Sequence, residues 1–144
     1  MTDKIREAEA FAAEKHSGQV DRAGAPYIEH SMAVAASVEG EKEKIVALLH
    51  DTVEDTDTTL EEIRDRFGNE VADAVGLLTH GKDTPYMDYV RGIWKNRLAR
   101  TVKLADLKHN MDLSRLPKVT EADRERVEKY REAYRLLSEA EIEH

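Results

Sequence analysis

The sequence contains no cysteine and few of the residues that interrupt helices. Without thiols the chain has no disulfide bridge, no thiolate metal ligand and no cysteine nucleophile, and nothing indicates an oxidising compartment. Only 7 glycines and 3 prolines occur among 144 residues, so helix-forming residues dominate the composition. We therefore predict an all-α helical bundle, with a single domain spanning residues 1–144.

Long apolar runs are also absent, and the charge is strongly acidic. No run reaches the roughly 18 apolar residues that a membrane-spanning helix needs. Charges from Asp3 onward interrupt the N-terminal segment, which lacks the pattern of a signal peptide. The net charge of −8 opposes long-range attraction to nucleic acid and to anionic membranes. We expect a cytoplasmic protein whose partner is a small molecule, and the sequence predicts no oligomeric state.

Hydrophobic periodicity predicts seven or eight helices. A capping box at Thr59 and Glu62 starts one of them, and Gly68 ends it. Between the first two helices, Gly24 and Pro26 favour a loop, and the pattern there allows one short β-hairpin near residues 20–28. The helices are predicted at residues 3–15, 29–38, around 45–55, 59–67, 71–79, 87–95, 97–113 and beyond residue 120.

Charged side chains interrupt apolar surfaces at three places in this pattern. His50 and Asp51 directly follow an apolar run at residues 45–49, in the helix that is predicted to be the most buried. Asp106 lies in the middle of a core-facing stripe, and His30 lies near the start of another apolar helix. Because a buried charge is costly unless it is paired or bound to a metal, these side chains need partners.

Each of these four residues, taken alone, has a simpler interpretation. A single histidine on an apolar face is usually a hydrogen-bonded core residue, and a single buried aspartate is usually a helix cap or an ion-pair partner. Two imidazoles and two carboxylates from three helices, all predicted to face inward, instead favour one metal site. Mixed nitrogen and oxygen ligands suit Mn²⁺, Fe²⁺, Co²⁺ or Zn²⁺ better than Ca²⁺ or Mg²⁺.

Glu54 and Asp55 follow this pair at the spacing of one helical turn. If the helix continues through them, their carboxylates lie close enough to the metal pair to orient a water molecule or to protonate a leaving group. The alternative interpretation is a solvated acidic cluster at the end of the helix, over residues 54–57.

The candidate ligands occur in the order His30, His50-Asp51, Asp106, and further motifs surround them. These motifs are HSGQ at 16–19, GAPYIEH at 24–30, ALLHDTVEDT at 47–56, Phe67-Gly68 and VKLADLKHNM at 102–111. The order of the ligands is similar to the H…HD…D signature of the HD superfamily of metal-dependent phosphohydrolases, and the motifs resemble the hydrolase domain of RelA/SpoT-type proteins within it. The resemblance extends from about residue 8 to residue 113, which is most of the chain.

The resemblance implies a stand-alone hydrolase that removes the 3′-pyrophosphate of (p)ppGpp with Mn²⁺. It implies that Glu54 and Asp55 position the attacking water, that Asn110 lies in the substrate pocket, and that Tyr27 and Arg22 lie near its entrance. The implied metal ligands are His30, His50, Asp51 and Asp106.

In an acidic protein, a polyphosphate substrate must be held by the metal and by local cations. Candidates for this role are Arg22, Arg100, Lys103 and Lys108.

Three positions depart from the family pattern and bear on substrate identity. Asp21 precedes Arg22 where the family usually has two basic residues, Lys108 stands one position later than the usual basic residue, and Leu113 replaces a polar residue. The main alternative is therefore an HD hydrolase that acts on another nucleotide or phosphoester.

Two further alternatives belong to other classes of protein. A di-iron HD oxygenase would need additional ligands, for which His16, His80 and His109 are the candidates. A metal-bound scaffold or nucleotide sensor without turnover would have no use for Glu54 and Asp55.

Overall fold

A computed structural model describes residues 2–21, 24–114 and 116–142, and their side chains up to residue 139. In these ranges the chain is all-α, as predicted. Eight helices have eight or more residues, and a ninth, α4, is a single turn. The helices are α1 (Asp3–Lys15), α2 (Ile28–Ala36), α3 (Glu41–Leu49), α4 (Thr52–Asp55), α5 (Leu60–Phe67), α6 (Asn69–Leu78), α7 (Tyr86–Ile93), α8 (Arg97–Asn110) and α9 (Glu121–Ile142).

The predicted signals at the ends of α5 are present. The backbone N–H of Thr59 donates to the Glu62 carboxylate, and the backbone N–H of Glu62 donates to the Thr59 hydroxyl, both at 3.2 Å. This reciprocal pair satisfies two donors that the first helical turn leaves open. Gly68 ends the helix with a φ of 96°, a conformation that favours glycine.

In the described part of the loop between α1 and α2, which omits residues 22 and 23, Val20 and Pro26 form an isolated antiparallel bridge, in place of the hairpin that the sequence allowed. The backbone N–H of Tyr27 donates to the carbonyl of Gln19 at 2.9 Å and closes the loop. The backbone N–H groups of Gln19 and Ala25, which could extend the ladder, instead donate to the carbonyl of His16 and to Oδ1 of Asp21, so the pairing does not grow into two strands.

The buried helix predicted around residues 45–55 is interrupted at His50 and Asp51. α3 ends at Leu49, the two charged residues form a turn, and α4 begins at Thr52. The Thr52 hydroxyl donates to the carbonyl of Leu49 at 2.7 Å, which satisfies that carbonyl at the break. The backbone N–H of Asp55 still donates to the carbonyl of Asp51 at 3.0 Å, so these two residues remain one turn apart.

α8 ends at Asn110, three residues earlier than predicted. Both the backbone N–H and the hydroxyl of Ser114 donate to the Asp112 carboxylate, at 2.9 Å and 2.6 Å. Such local side-chain bonds compete with the helical pattern and favour a turn.

The core is built around α3, which packs against α1, α2, α6 and α8. All of residues 45–49 are buried, which accounts for the absence of polar residues from that run. α9 packs along α7 and α8. Because α2, α3 and α8 also pack against one another, polar side chains at their junction lie close together. No helix in the described ranges has the length and apolar character needed to cross a membrane.

Candidate metal centre and active site

Four polar side chains meet at the junction of α2, α3 and α8. His30 is in the first turn of α2, Asp106 is on α8, and His50 and Asp51 form the turn after α3. One donor atom from each side chain lies within 4.8 Å of the donor atoms of the other three. Among the described residues, this is the one group of histidine and acidic side chains that converges in this way. The structure therefore brings together the four residues that the sequence singled out.

Asp106 is the residue that the two imidazoles share. Its Oδ1 lies 2.8 Å from Nε2 of His30 and 3.2 Å from Nε2 of His50. Oδ2 of Asp51 lies 3.1 Å from the same nitrogen of His50. His30, His50 and Asp106 are buried, and Asp51 is partly exposed, so the cluster has one side that faces solvent.

The far side of each imidazole has its own partner. Nδ1 of His50 lies 2.5 Å from the carbonyl oxygen of Ala47 and must carry a proton, because a carbonyl only accepts. Nδ1 of His30 lies 2.7 Å from Nδ1 of His109. These contacts direct both Nε2 atoms towards the carboxylates, the usual arrangement for histidines that bind a metal.

Tyr27 and Asn110 hold the carboxylates of the cluster. The Tyr27 hydroxyl donates to Oδ2 of Asp51 at 2.5 Å, and Nδ2 of Asn110 donates to Oδ1 of Asp106 at 3.1 Å. Burial, together with the negative charge of Asp51, raises the pKa of Tyr27, so the phenol remains a donor.

Lys103 contacts Asp106 from within the core. Its Nζ lies 3.1 Å from Oδ2 of Asp106 and 5.2 Å from the centre of the Tyr89 ring. Burial alone would raise the pKa of Asp106, but the Lys103 ammonium and the imidazoles of His30 and His50 hold it well below its usual value. The Asp106 carboxylate is therefore ionised at neutral pH in the protein alone.

The pKa of His50 reflects the negative charge that Asp51 and Asp106 concentrate in the cluster. Burial would lower the pKa of this imidazole, but the charges of Asp51 and Asp106 outweigh burial and raise it well above its usual value. In the protein alone, a proton on Nε2 offsets one of the two negative charges of Asp51 and Asp106. A divalent cation would offset both, and two nitrogen and two oxygen donors fit a transition metal. The residues present therefore fit a metal centre.

The two candidate acid–base residues lie on α4, beside this centre. Oε1 of Glu54 accepts a hydrogen bond from the backbone N–H of His80 at 2.7 Å. Asp55 is exposed as a residue, but partial burial of its carboxylate, together with the negative charges of Asp51 and Glu54, raises its pKa. Both carboxylates remain outside the four-residue cluster.

A cavity of about 310 Å³ opens beside the cluster. Tyr27, His30 and Asn110 form the part of its lining nearest the candidate metal centre. Arg126 and Tyr130, both on α9, also line it. The sequence did not single out these two as site residues, because Tyr130 belongs to the apolar stripe of α9 and Arg126 is one of many charges on that helix.

The other candidate cations have different positions. Lys103 is outside the lining of this cavity, and Arg100 donates from Nη1 to the carbonyl of Trp94 at 2.9 Å. Lys108 lines a second cavity, on another part of the surface. Arg22 lies outside the described residues, so its predicted role in substrate binding stays a prediction.

The additional histidines of the oxygenase alternative do not join the cluster. His109 contacts His30 through Nδ1, so it acts beside a candidate ligand. Its position on the core face of α8, three residues after Asp106, was the sequence signal for it. His16 contacts Gln19, and His80 contacts the carbonyl of Thr84.

The fold and the site together define a class of protein, namely all-α domains with a buried centre of two histidines and two aspartates. The chain matches the family model described as HD domain over residues 8–137. This match covers most of the chain, and the protein belongs to the HD domain family.

Its relatives within this class are more specific. Guanosine-3′,5′-bis(diphosphate) 3′-pyrophosphohydrolase MESH1 of Danio rerio is 43% identical over 128 residues, which cover 79% of this chain and 71% of that protein. MESH1 of Homo sapiens is 40% identical over 126 residues, covering 78% of this chain and 70% of that protein. A solved structure, described as a metazoan ortholog of SpoT that hydrolyses ppGpp and plays a role in starvation responses, superposes with a TM-score of 0.76 at 28% identity. That superposition covers 93% of this chain and 84% of the other.

Proposed function

We propose that this chain removes the 3′-pyrophosphate of (p)ppGpp by metal-dependent hydrolysis, with GDP or GTP and pyrophosphate as products. The observation that carries the proposal is the convergence of two imidazoles and two carboxylates within 4.8 Å beside a cavity. His30 belongs both to the cluster and to the lining of the cavity. Relatives named for this activity, at 40% and 43% identity, support the choice of substrate.

The cofactor in this proposal is a divalent transition metal, and Mn²⁺ is the first candidate. When bound, such an ion supplies a Lewis acid that polarises a phosphoryl oxygen and lowers the pKa of a water molecule. Tyr27 and His109 orient two of the ligands: the Tyr27 hydroxyl donates to Oδ2 of Asp51, and His109 contacts Nδ1 of His30, on the side of the ring away from the cluster. The proposed ligands are His30, His50, Asp51 and Asp106.

Glu54 and Asp55 are the proposed acid–base residues. The pKa of Asp55 is raised and therefore lies closer to neutral pH, which suits a group that accepts a proton from the attacking water. The oxygen of that water forms the new bond to phosphorus, and the bond between phosphorus and the 3′ oxygen breaks. The 3′ oxygen leaves with a proton that the other side chain of the pair donates from its carboxylic acid form.

The cavity is the proposed nucleotide pocket. Asn110 and Tyr27 border it on the side of the metal centre, and the ring of Tyr130 offers a face for stacking a base. Arg126 and Arg22 are the proposed cations for the phosphates. Lys103 is a further proposed substrate-binding residue, and its ammonium also contacts Asp106.

One observation favours the alternative that another nucleotide or phosphoester is the substrate. Asp21 and Asp112 line the cavity, and Arg126 is the one lysine or arginine among the lining residues that the structure describes. Carboxylates repel a polyphosphate, so a substrate with fewer phosphates than (p)ppGpp fits this wall better.

Hydrolysis of (p)ppGpp by the purified chain, with Mn²⁺ and then with a chelator, tests the proposal. We expect pyrophosphate and GDP or GTP as products, and no turnover after chelation. A parallel panel of other nucleotides and phosphomonoesters separates the two substrate hypotheses. Metal-dependent turnover of a panel member with none of (p)ppGpp would support the alternative, and products that retain the 3′-phosphate would contradict the proposed bond cleavage.

The proposed partners and cellular location of the enzyme follow from this function. The small-molecule partner is a nucleotide, nucleic acid and membranes are not partners, and the location is the cytoplasm. Fractionation of cells that produce the chain, with detection in the cytosolic and membrane fractions, tests this part.

A further inference from the structure

His16 is a buried histidine that lies beside the candidate active site and outside the four-residue cluster. It is 2% exposed, and its Nδ1 lies 2.9 Å from Oε1 of Gln19. Its Nε2 is buried without a hydrogen-bond partner in the described part of the chain. A buried polar atom without a partner costs free energy that an apolar side chain would not cost. Packing alone therefore favours an apolar residue here, and the imidazole indicates a further role.

Gln19 connects this imidazole to α4. Its Nε2 donates to the backbone carbonyl of Asp55 at 3.1 Å. Because that carbonyl only accepts, the amide nitrogen of Gln19 faces Asp55 and the amide oxygen faces His16. Nδ1 of His16 must then carry a proton, and this donor determines which way the Gln19 amide points.

α4 depends on contacts of this kind because it has only four residues. A helix of one turn is not stable alone, and its last carbonyls have no intrahelical donor. Gln19 supplies the donor for the carbonyl of Asp55, and the backbone N–H of His80 holds the carboxylate of Glu54. The two proposed acid–base residues are thus held from two separate loops.

His16 also contacts the metal side of the site. Its ring packs against the ring of Tyr27, with the two centroids 4.9 Å apart, and the Tyr27 hydroxyl donates to Asp51 at 2.5 Å. One imidazole therefore contacts the residue that holds Asp51 and the residue that holds the end of α4.

We propose that His16 and Gln19 are positioning residues, which keep α4, and with it the Asp55 carboxylate, at a fixed position relative to Asp51. The catalytic consequence rests on the proposed function, whereas the mechanical coupling of Gln19 to α4 does not. Without the Gln19 amide, the end of α4 moves more freely and the Asp55 carboxylate is in position for a smaller fraction of the time. The metal ligands and the pocket lining keep their contacts.

The first test is Gln19→Ala, with Ser17→Ala as the matched control in the same loop, where the side chain is exposed. We expect kcat for (p)ppGpp to fall about 10- to 100-fold, with unchanged KM and Mn²⁺ content. Hydrogen–deuterium exchange supplies a readout independent of activity. The amides of Asp55 and Thr56, which close the turn of α4, should exchange faster in Gln19→Ala and at the wild-type rate in Ser17→Ala.

The second test compares His16→Leu with His16→Asn. The asparagine amide keeps a donor near the position of Nδ1, whereas leucine fills the buried space without one. We expect His16→Asn to recover part of the kcat that His16→Leu loses, although leucine is the better residue for packing. If His16 serves only as a core residue, the order is reversed.

Wild-type kcat together with wild-type exchange in Gln19→Ala would overturn the inference, even if neither histidine variant folds. If the unmodified chain does not hydrolyse (p)ppGpp, the proposed function fails separately. In that case the exchange of the α4 amides still decides whether Gln19 holds this helix.

Discussion

Lys103 and Asp106 lie one turn apart on α8 and form a buried ion pair, with Nζ 3.1 Å from Oδ2. The other oxygen of Asp106 lies 2.8 Å from Nε2 of His30 and 3.2 Å from Nε2 of His50. One carboxylate thus divides its oxygens between a fixed ammonium and the imidazoles of the candidate metal centre. The pair accounts for a lysine that is buried on a core-facing stripe.

Replacing Lys103 with methionine separates its two possible roles. The change keeps the length of the side chain and leaves Asp106 without its ammonium, so we expect the metal-free protein to lose about 3 kcal/mol of stability in denaturant unfolding. Lys108→Met, an exposed lysine on the same helix, is the control. Equal midpoints for the two variants would contradict the structural role, and a raised KM for (p)ppGpp would support contact with substrate.

Loss of a proposed ligand should remove the metal and lower stability together. In His50→Ala and Asp106→Ala the remaining buried charges lose compensation, so elemental analysis should find little bound metal and melting should occur at lower temperature. Asp65→Ala, an exposed carboxylate on α5, is the control for the loss of a negative charge. Metal occupancy and melting equal to the unmodified protein in both variants would refute the four-ligand site.

Metal binding should depend on pH in a direction that His50 determines. Because the pKa of His50 is raised well above its usual value, its Nε2 carries a proton at neutral pH in the metal-free protein, and binding must release it. The apparent affinity should therefore rise with pH, by up to about 10-fold per unit for each proton released. Calorimetry in buffers of different protonation enthalpy measures this proton. An affinity that is constant between about pH 6 and pH 8 would contradict the assignment.

The same shift gives an expectation for the metal-free protein. The pKa of His50 is higher in the folded protein than in the unfolded chain, where it is about 6.5. Protonation of His50 therefore stabilises the fold, with its full effect below about pH 6.5, and this stabilisation is lost as pH rises through the folded pKa. Unfolding free energy of the metal-free protein should fall over that alkaline range. When a metal is bound, Nε2 of His50 coordinates it and cannot take up a proton, so the unfolding free energy should not fall over this range.

The amide variants Glu54→Gln and Asp55→Asn separate catalysis from metal binding. Each keeps the size of the side chain and removes its charge, and neither residue belongs to the cluster. We expect metal content and melting to persist while kcat falls about 10²- to 10⁴-fold. Asp57→Asn, in the same acidic segment and exposed, is the control. If both amide variants keep the wild-type rate, Glu54 and Asp55 are only solvated acidic residues at the edge of the site. If either variant loses the metal, that residue is a metal ligand.

Much of the fold follows from local sequence signals. The capping box at Thr59, the glycine at position 68 and the helical periodicity act over one or two turns, so a sequence pattern contains them. The break at His50 was not predicted, because the backbone there remains in the right-handed helical region and no glycine or proline marks it. Asp112 ended α8 early through a side-chain bond that competes with the helix.

The sequence by itself determined that His30, His50 and Asp106 would face the core, because each lies within an apolar helical surface that must be buried. Tertiary packing decided which partners hold the residues of the cluster: the Nδ1 contact of His109 with His30 spans 79 residues, and the Tyr27 contact with Asp51 spans 24. It also placed Arg126 and Tyr130 of α9 on the cavity wall. Periodicity reports only which face of a helix is buried, and the residues opposite that face depend on how the helices pack against one another.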